Sequence, residues 1–310
     1  MYNEIITRKI GVLAGGPSNE RDISIKSGRA VYEALKRAGC AVAWIELGKS
    51  DMQRLLKKEE FDVAFIALHG AFGEDGSIQR LLKLMKKPYT GSGPLASKRA
   101  LDKIASRRIF ERNDIPFPEY RILRKSRAKI PNGLPFPLVV KPRFEGSSLG
   151  LSLARDKGEF YQSCRAAFRY SDDILVERFI SGREITVGVL DRMPLPVVEI
   201  IHKGIFYDFN AKYNDKETRY VVPASLPQGI YKRAQALGLA SHNALRCSDI
   251  SRVDMLLDSE DNIYVLEVNS IPGLTERSLF PKAAGALGIN FENMCLKLLD
   301  LAFKNNSKKV

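Results

Sequence analysis

The stretch Arg252-Val253-Asp254-Met255-Leu256-Leu257, then Asp258-Ser259-Glu260-Asp261-Asn262, then Ile263-Tyr264-Val265-Leu266-Glu267-Val268-Asn269, decides how the chain reads. Both flanks are apolar runs without Gly or Pro, and the polar segment between them is turn chemistry, so a β-hairpin is the simplest reading. Side chains alternate across a strand, which sets Glu267 and Asn269 on one face with Asp254 opposing them from the partner strand. Three hard oxygen donors with neither Cys nor His suit magnesium rather than zinc. A Mg²⁺ site with so few protein groups ordinarily completes its shell with nucleotide phosphates. Acidic residues beside a hairpin turn are more often simply solvated; Arg252 in the same place and a second phosphate signal upstream weigh against that here.

The second signal is Lys141-Pro142-Arg143-Phe144-Glu145-Gly146-Ser147-Ser148-Leu149-Gly150. It differs from a Walker motif, because the lysine precedes the glycines and no G-K-[ST] follows. Gly146, Ser147, Ser148 and Gly150 let backbone N–H groups approach a phosphate closely, with the hydroxyls as further donors. Lys141 closes a strand, where its point charge can reach α- or β-phosphates. An ordinary surface turn is the alternative for this loop taken alone. Glu177, Arg178 and Phe179, with Glu184 nearby, read more weakly as a nucleotide rim: backbone groups at a strand end for adenine, a carboxylate for ribose.

Outward from these motifs, residues 9–90 alternate strand and helix: strands at 10–14, 41–47 and 61–68, helices at 23–37, 52–57 and 77–85. That order predicts a parallel, doubly wound sheet whose ligands bind at the strand ends near 15–20 and 69–76. Gly91-Ser92-Gly93-Pro94 reads as a hinge. A helix over 95–112, Pro-rich connections, a strand at 138–141, a helix at 157–168 and a strand at 174–177 follow. Strands are expected to dominate from Ser181 until a helix at 291–302, with a frayed tail beyond it. Three domains are expected, at 1–93, 94–180 and 181–310.

The 310 residues, 45% hydrophobic and 27% charged, are those of a soluble globular protein with room for two or three domains. No membrane span and no signal peptide are visible. Cys40, Cys164, Cys247 and Cys295 are scattered without metal or redox spacing, as expected of idle thiols in a reducing cytoplasm. The net charge of +13 raises nucleic-acid binding, but the basic residues are dispersed in pairs such as Lys57-Lys58, Lys86-Lys87 and Arg107-Arg108. A positive field equally serves a protein that handles ATP and carboxylates. Neither a nucleic-acid nor a membrane partner is expected.

In order along the chain come Leu68-His69-Gly70, Gly73-Glu74-Asp75-Gly76, Tyr89-Thr90-Gly91-Ser92-Gly93 and Asp102-Lys103. After them come 141–150, Ala211-Lys212-Tyr213, Arg252-Val253-Asp254 and Glu267-Val268-Asn269 through Pro272-Gly273. This series resembles D-alanine–D-alanine ligase, within the ATP-grasp superfamily, over nearly the whole chain from about Ile10 to Leu301. The resemblance implies an α/β and α+β fold class: an ATP-grasp fold carrying an N-terminal doubly wound parallel α/β domain. It implies ATP-dependent joining of two D-alanines through an acyl phosphate, for peptidoglycan precursors, in a cytoplasmic homodimer.

By the same resemblance, Glu20 would hold the ammonium of the first D-alanine, with His69 beside that subsite. Lys103 and Lys141 would contact ATP phosphates, and Asp254, Glu267 and Asn269 would hold two Mg²⁺ (or Mn²⁺). Ser147 and Tyr213 would tie the glycine loop and a mobile loop at 206–219 to Glu20, with Lys212 near the γ-phosphate; closure would keep water from the acyl phosphate. Arg252 and the N–H of Gly273 would stabilise an oxyanion. Ser278 and Leu279 would receive the second D-alanine's carboxylate at a helix start. Val139, Phe206, Leu256 and Leu266 would sandwich adenine, although without the family match they read better as core. Glu177, Arg178, Phe179 and Glu184 would surround its amino group and ribose. Tyr213 and its loop look like the dipeptide-forming rather than the depsipeptide-forming type. Asn210, Ser270, Glu276 and Arg277 depart from common family residues. They keep open a ligase of the same mechanism with another second substrate, such as D-serine, D-lactate or a different amino acid. A catalytically silent nucleotide-binding relative is the rival of another class.

Overall fold

The computed structural model describes residues 3–48, 52–204, 206–207, 215 and 217–305. Its first segment runs α1 (Asn3–Ile6), β1 (Lys9–Gly15), α2 (Arg21–Arg37), β2 (Ala41–Leu47), α3 (Met52–Lys58), β3 (Val63–Ile66) and α4 (Ser77–Leu84). The three strands form a parallel sheet in the order β2-β1-β3. With β1 central, one right-handed crossover runs each way, so α2 and α3 must cover opposite faces. The alternation agrees: Val12, Val63 and Phe65 pack with Val31 and Leu35 of α2, whereas Leu13, Ala64 and Ile66 pack with Leu56 of α3. This is the doubly wound pattern that the sequence predicts, although β3 is shorter than the 61–68 run.

The helix expected at 95–112 is two helices, α5 (Pro94–Leu101) and α6 (Lys103–Glu111). Asp102 breaks it. Its backbone is extended at φ −77°, ψ 99°, and its carboxylate accepts from the N–H groups of Ile104 and Ala105, a standard N-cap. Arg143 holds the same carboxylate at 2.6 and 2.8 Å.

A second, antiparallel sheet comprises β4 (Tyr120–Arg124), β5 (Leu138–Pro142), β6 (Ser152–Ala154) and β7 (Asp173–Arg178), in the order β4-β7-β5-β6. Helix α7 (Lys157–Ala167) covers it through Phe160 and Cys164. Strand β4 lies inside what the sequence reads as Pro-rich connection.

The third sheet holds β8 (Arg183–Leu190), β9 (Met193–Pro194), β10 (Val198–Ile201), β11 (Arg219–Val221), β12 (Ile250–Leu257) and β13 (Ile263–Asn269). Its order is β11-β10-β8-β12-β13, with β9 on β8. Strands β12 and β13 are the hairpin read from the sequence. Three helices accompany this sheet: α8 (Gln228–Ala244), α9 (Leu279–Gly285) and α10 (Phe291–Asn305). The expectation of strands from Ser181 to the final helix therefore fails at α8 and α9. In α8, glycines 229 and 238 obscure the pattern, because an interior Gly argues against a helix. At Gly238 the reason is packing: a Cβ would meet Val187 Cγ1 at 2.7 Å, so the helix lies on β8 only without a side chain there. Helix α10 packs on α2, and Leu298 and Leu299 share a core with Val31 and Leu35.

His242 of α8 is 1% exposed, and its Nδ1 shares a 2.7 Å hydrogen bond with Ser251 Oγ of β12. Burial, with the Arg192 charge secondary, lowers its pKa to about 4. The folded value thus lies below the unfolded value of about 6.5, so the unfolded chain takes up the proton first on acidification. The resulting stability is complete above about pH 6.5 and is lost as pH falls toward 4, at roughly 2 kcal/mol between pH 7 and pH 5. Urea midpoints at those two pH values should therefore separate more for the wild type than for His242→Gln.

Candidate active site

Three adjoining cavities run between the sheets. The first, about 390 Å³, is lined by Glu20, His69, Ser147, Arg252, Asn269, Gly273, Ser278 and Leu279, among others. The third, about 440 Å³, is lined by Val139, Glu177, Arg178, Phe179 and Leu256, among others. A narrow space of about 90 Å³ joins them: it shares Lys103 and Glu267 with the first, shares Lys141, Glu184, Phe206 and Leu266 with the third, and is also lined by Asp254. Each described residue singled out in the sequence as a site residue thus lines one connected space. Asn210, Lys212 and Tyr213 lie outside the described residues.

At one end, Glu20 begins α2, and Ser147 Oγ donates a short hydrogen bond to Glu20 Oε1. The glycine loop reaches it through unusual backbone: Ser147 and Ser148 have φ of 48° and 60°, a left-handed conformation costly for residues with a Cβ. Opposite them, Gly70 presses so close that a Cβ would meet Glu20 Oε2 at 2.7 Å. Ser18 Oγ ties the loops together by donating to the His69 carbonyl at 2.7 Å. The His69 ring is buried, with Nε2 3.0 Å from Ser27 Oγ. Burial lowers its proton affinity, opposed by the nearby Glu20 charge, so the ring is neutral at pH 7.

Glu74 belongs to this end too, although the sequence reading places it in a motif without assigning it a role. It accepts from the N–H of Gly70 at 2.8 Å and from that of Ile271 at 3.3 Å. Burial, reinforced by the Glu20 charge, pushes its carboxyl up to about 8. At neutral pH it is largely protonated and adds little to the negative field around Glu20.

In the middle, the hairpin register sets Asp254 opposite Glu267 and Arg252 opposite Asn269, with a bulge between Asp254 and Met255. Arg252 grips Asp254 with two 2.7 Å bonds; Thr186 Oγ1 donates to Asp254 Oδ1 at 2.7 Å and Asn269 Nδ2 to Oδ2 at 3.0 Å. Burial disfavours the Arg252 charge, but Asp254 outweighs it and holds the guanidinium firmly protonated. Lys103 Nζ lies 3.9 Å from Glu267 Oε2 and donates to the Glu145 carbonyl at 2.5 Å. Asp254, Glu267 and Asn269 offer only oxygen ligands, which fits Mg²⁺ or Mn²⁺. With two carboxylates and one amide, phosphate oxygens would have to complete the shell.

At the far end, Phe206 meets Phe179 edge-on at 6.4 Å, and Val139, Leu256 and Leu266 line the same slot. Glu184 Oε1 accepts from the Tyr207 N–H at 3.1 Å and lies 3.2 Å from His202 Nε2. Glu177 is held differently from a solvated nucleotide ligand. It is 2% exposed, and its carboxylate is tied to Arg107 at 2.8 and 3.0 Å and to Lys141 at 2.5 Å. Burial alone would raise the Glu177 carboxyl, but these two cations hold it below the usual range. Arg107, read in the sequence as one of several dispersed basic residues, is 1% exposed. No local pattern distinguishes it from exposed Arg108; only the helical face does.

The family departures separate in space. Glu276 is exposed and pairs with Arg37 at 3.5 Å, whereas Arg277 lines the first cavity. Ser270 also lines it, and its buried hydroxyl has no hydrogen-bond partner among the described residues. Ser278 Oγ lies 2.8 Å from Thr275 Oγ1 and makes no cap bond to α9.

Residues 46–92 match the family model described as D-ala D-ala ligase N-terminus, and residues 109–300 match D-ala D-ala ligase C-terminus. The D-alanine--D-alanine ligase of Syntrophotalea carbinolica is 45% identical over 297 residues, covering 96% of both chains. That of Geobacter sulfurreducens is also 45% identical, over 300 residues, covering 96% of this chain and 95% of the other. The crystal structure of D-alanine--D-alanine ligase from Bacillus anthracis complexed with ATP superposes with a TM-score of 0.87 at 32% identity, covering 98% of this chain and 100% of that one. A second structure of the Bacillus anthracis enzyme gives 0.88 at 35% identity, over 97% and 99%. With the residues that line the cavities and the match over nearly the full length of both chains, this chain belongs to the D-alanine–D-alanine ligase family.

Proposed function

We propose that the chain is an ATP-dependent D-alanine–D-alanine ligase supplying peptidoglycan precursors. The observation that carries this reading is the connected cavity, with a carboxylate–serine pair at one end, an apolar slot at the other and an oxygen-donor cluster between. The first D-alanine sits against Glu20, which takes its ammonium while His69 stays neutral beside it. Its carboxylate oxygen attacks the γ-phosphorus, the bond to the β-phosphate oxygen breaks, and ADP leaves. Lys103 and Lys141 hold the phosphates in line. Divalent ions held by Asp254, Glu267 and Asn269 would neutralise phosphate charge. The amine of the second D-alanine, its carboxylate received near Ser278 and Leu279, then attacks the acyl carbon. Arg252 and the Gly273 N–H stabilise the oxyanion until phosphate departs and the amine proton is lost. By the family resemblance, the loop at 206–219 would close over the nucleotide, with Lys212 near the γ-phosphate and Tyr213 joining Glu20 and Ser147; Lys212 and Tyr213 lie outside the described residues. Three separate sheets support domains at 1–93, 94–180 and 181–310.

Arg277 bears on the choice of second substrate, because it lines the cavity; exposed Glu276 does not. A homodimer in the cytoplasm is the expected form. Among the described residues no helix is long and apolar enough to cross a membrane.

Phosphate release from MgATP should require D-alanine, and mass spectrometry should identify D-alanyl-D-alanine as the main product when other second amino acids compete. Another dipeptide would keep the mechanism and reassign the specificity; release independent of D-alanine would refute the ligase reading. Arg252→Ala should lower turnover by about 10²–10³-fold while changing ATP affinity far less. Equal losses in both would rule out an oxyanion role. Tyr213→Phe should raise uncoupled ATP hydrolysis relative to dipeptide formation, and an unchanged ratio would remove Tyr213 from the closure network.

A further inference from the structure

Arg107 is among the largest side chains of this protein that are fully buried. It projects from α6 into the joint between the second and third sheets. Its Nε and Nη2 donate to Glu177 Oε1 of β7 at 3.0 and 2.8 Å. Its Nη1 donates to the Val265 carbonyl at 3.0 Å and its Nη2 to the Leu266 carbonyl at 2.9 Å, both on β13. The Phe117 ring lies beneath the guanidinium at 5.4 Å. The other oxygen of Glu177 meets Lys141 Nζ at 2.5 Å. All three side chains are at most 8% exposed.

Two cations and one anion leave one positive charge in excess in a poorly hydrated place. A net buried charge is costly unless a counter-charge arrives. Lys141 borders the passage and the slot, where a triphosphate would supply that counter-charge. Without Arg107, Glu177 and Lys141 would form a neutral pair, and the lysine would meet a phosphate with its charge already cancelled. Arg suits the role because it cannot lose its proton and its fork satisfies a carboxylate and two carbonyls together.

We propose that Arg107 is a positioning residue for nucleotide binding. By neutralising Glu177 it leaves the charge of Lys141 uncancelled for the phosphates of ATP. The inference rests on the ATP-dependent reading above and adds a residue that touches no substrate.

The test is ATP affinity of the intact protein, measured by calorimetry without D-alanine, for wild type, R107Q, R107K, E177Q and R107Q/E177Q. The KM for D-alanine and the melting temperature are taken alongside. R107Q should weaken ATP binding at least tenfold and leave the D-alanine KM within twofold. R107K, which restores the charge but not the fork, should bind ATP within threefold of wild type despite a lower melting temperature. R107Q/E177Q should bind ATP within threefold of E177Q, because with no carboxylate left to sequester Lys141 the loss of Arg107 costs little more. Should R107Q fail to fold, R107K decides: retained binding supports the charge role, and a tenfold loss in folded R107K overturns it. Unchanged ATP affinity in R107Q, or a double variant at least tenfold weaker than E177Q, also overturns it. A wild-type protein that binds no ATP overturns the underlying reading instead, and this proposal with it.

Discussion

The register of β12 on β13 is the constraint on which the rest of the site depends. Setting Asp254 against Glu267 and Arg252 against Asn269 gathers four polar groups on an otherwise apolar hairpin. A slip of one strand by one residue would turn its two polar groups toward the other face and send its valine, Val253 or Val268, out of the core. The register is held from both sides. Strand β8 pairs with β12 over its whole length and supplies Thr186 to Asp254, while the Arg107 guanidinium seizes two successive carbonyls just before Glu267. The hairpin therefore tolerates a polar surface toward the cavity because its other face is packed in a core, β8 pairs with β12, and Arg107 and the Pro116 carbonyl hold the outer edge of β13 at Val265 and Leu266.

Electrostatically, the cavity is graded along its length. At one end the neighbours of Glu20 are held neutral: His69 by burial, Glu74 by burial beside Glu20 itself. In the middle each carboxylate is matched by a cation within reach, Asp254 by Arg252 and Glu267 by Lys103. Beyond them, Arg107, Glu177 and Lys141 leave a positive surplus. This gradient matches the proposed placement of an ammonium at one end and a polyanion at the other.

Much of this was legible in the sequence because it is local. Alternation placed the hairpin, strand–helix order placed the parallel sheet, and Gly and Ser spacing placed the loop that reaches Glu20. What escaped depends on contacts between distant segments. The helical break at Asp102 needs Arg143, some forty positions on, to hold its carboxylate. The glycines of α8 look like helix breakers until Val187 is found beneath Gly238. Arg107 is indistinguishable from Arg108 until the two sheets close around one of them. Glu276 and Arg277, adjacent in sequence and equally charged in magnitude, point to different destinations, one toward Arg37 and the other into the cavity. Resemblance picked out more of the cavity-lining positions than spacing alone, because it draws on positions whose partners lie elsewhere in the chain.

The packing of α10 on α2 has a consequence for how the chain is made. The face of the first sheet that holds Val12 and Phe65 is shielded by α2 and, through Leu298 and Leu299, by the last helix. At a synthesis rate of about 5–20 residues per second, roughly half a minute separates the emergence of α2 from that of α10. During that interval the first sheet presents an apolar surface that its own chain has yet to cover. The sheet made before the other two is thus the last to be fully covered, and until then the nascent chain is sticky on that face.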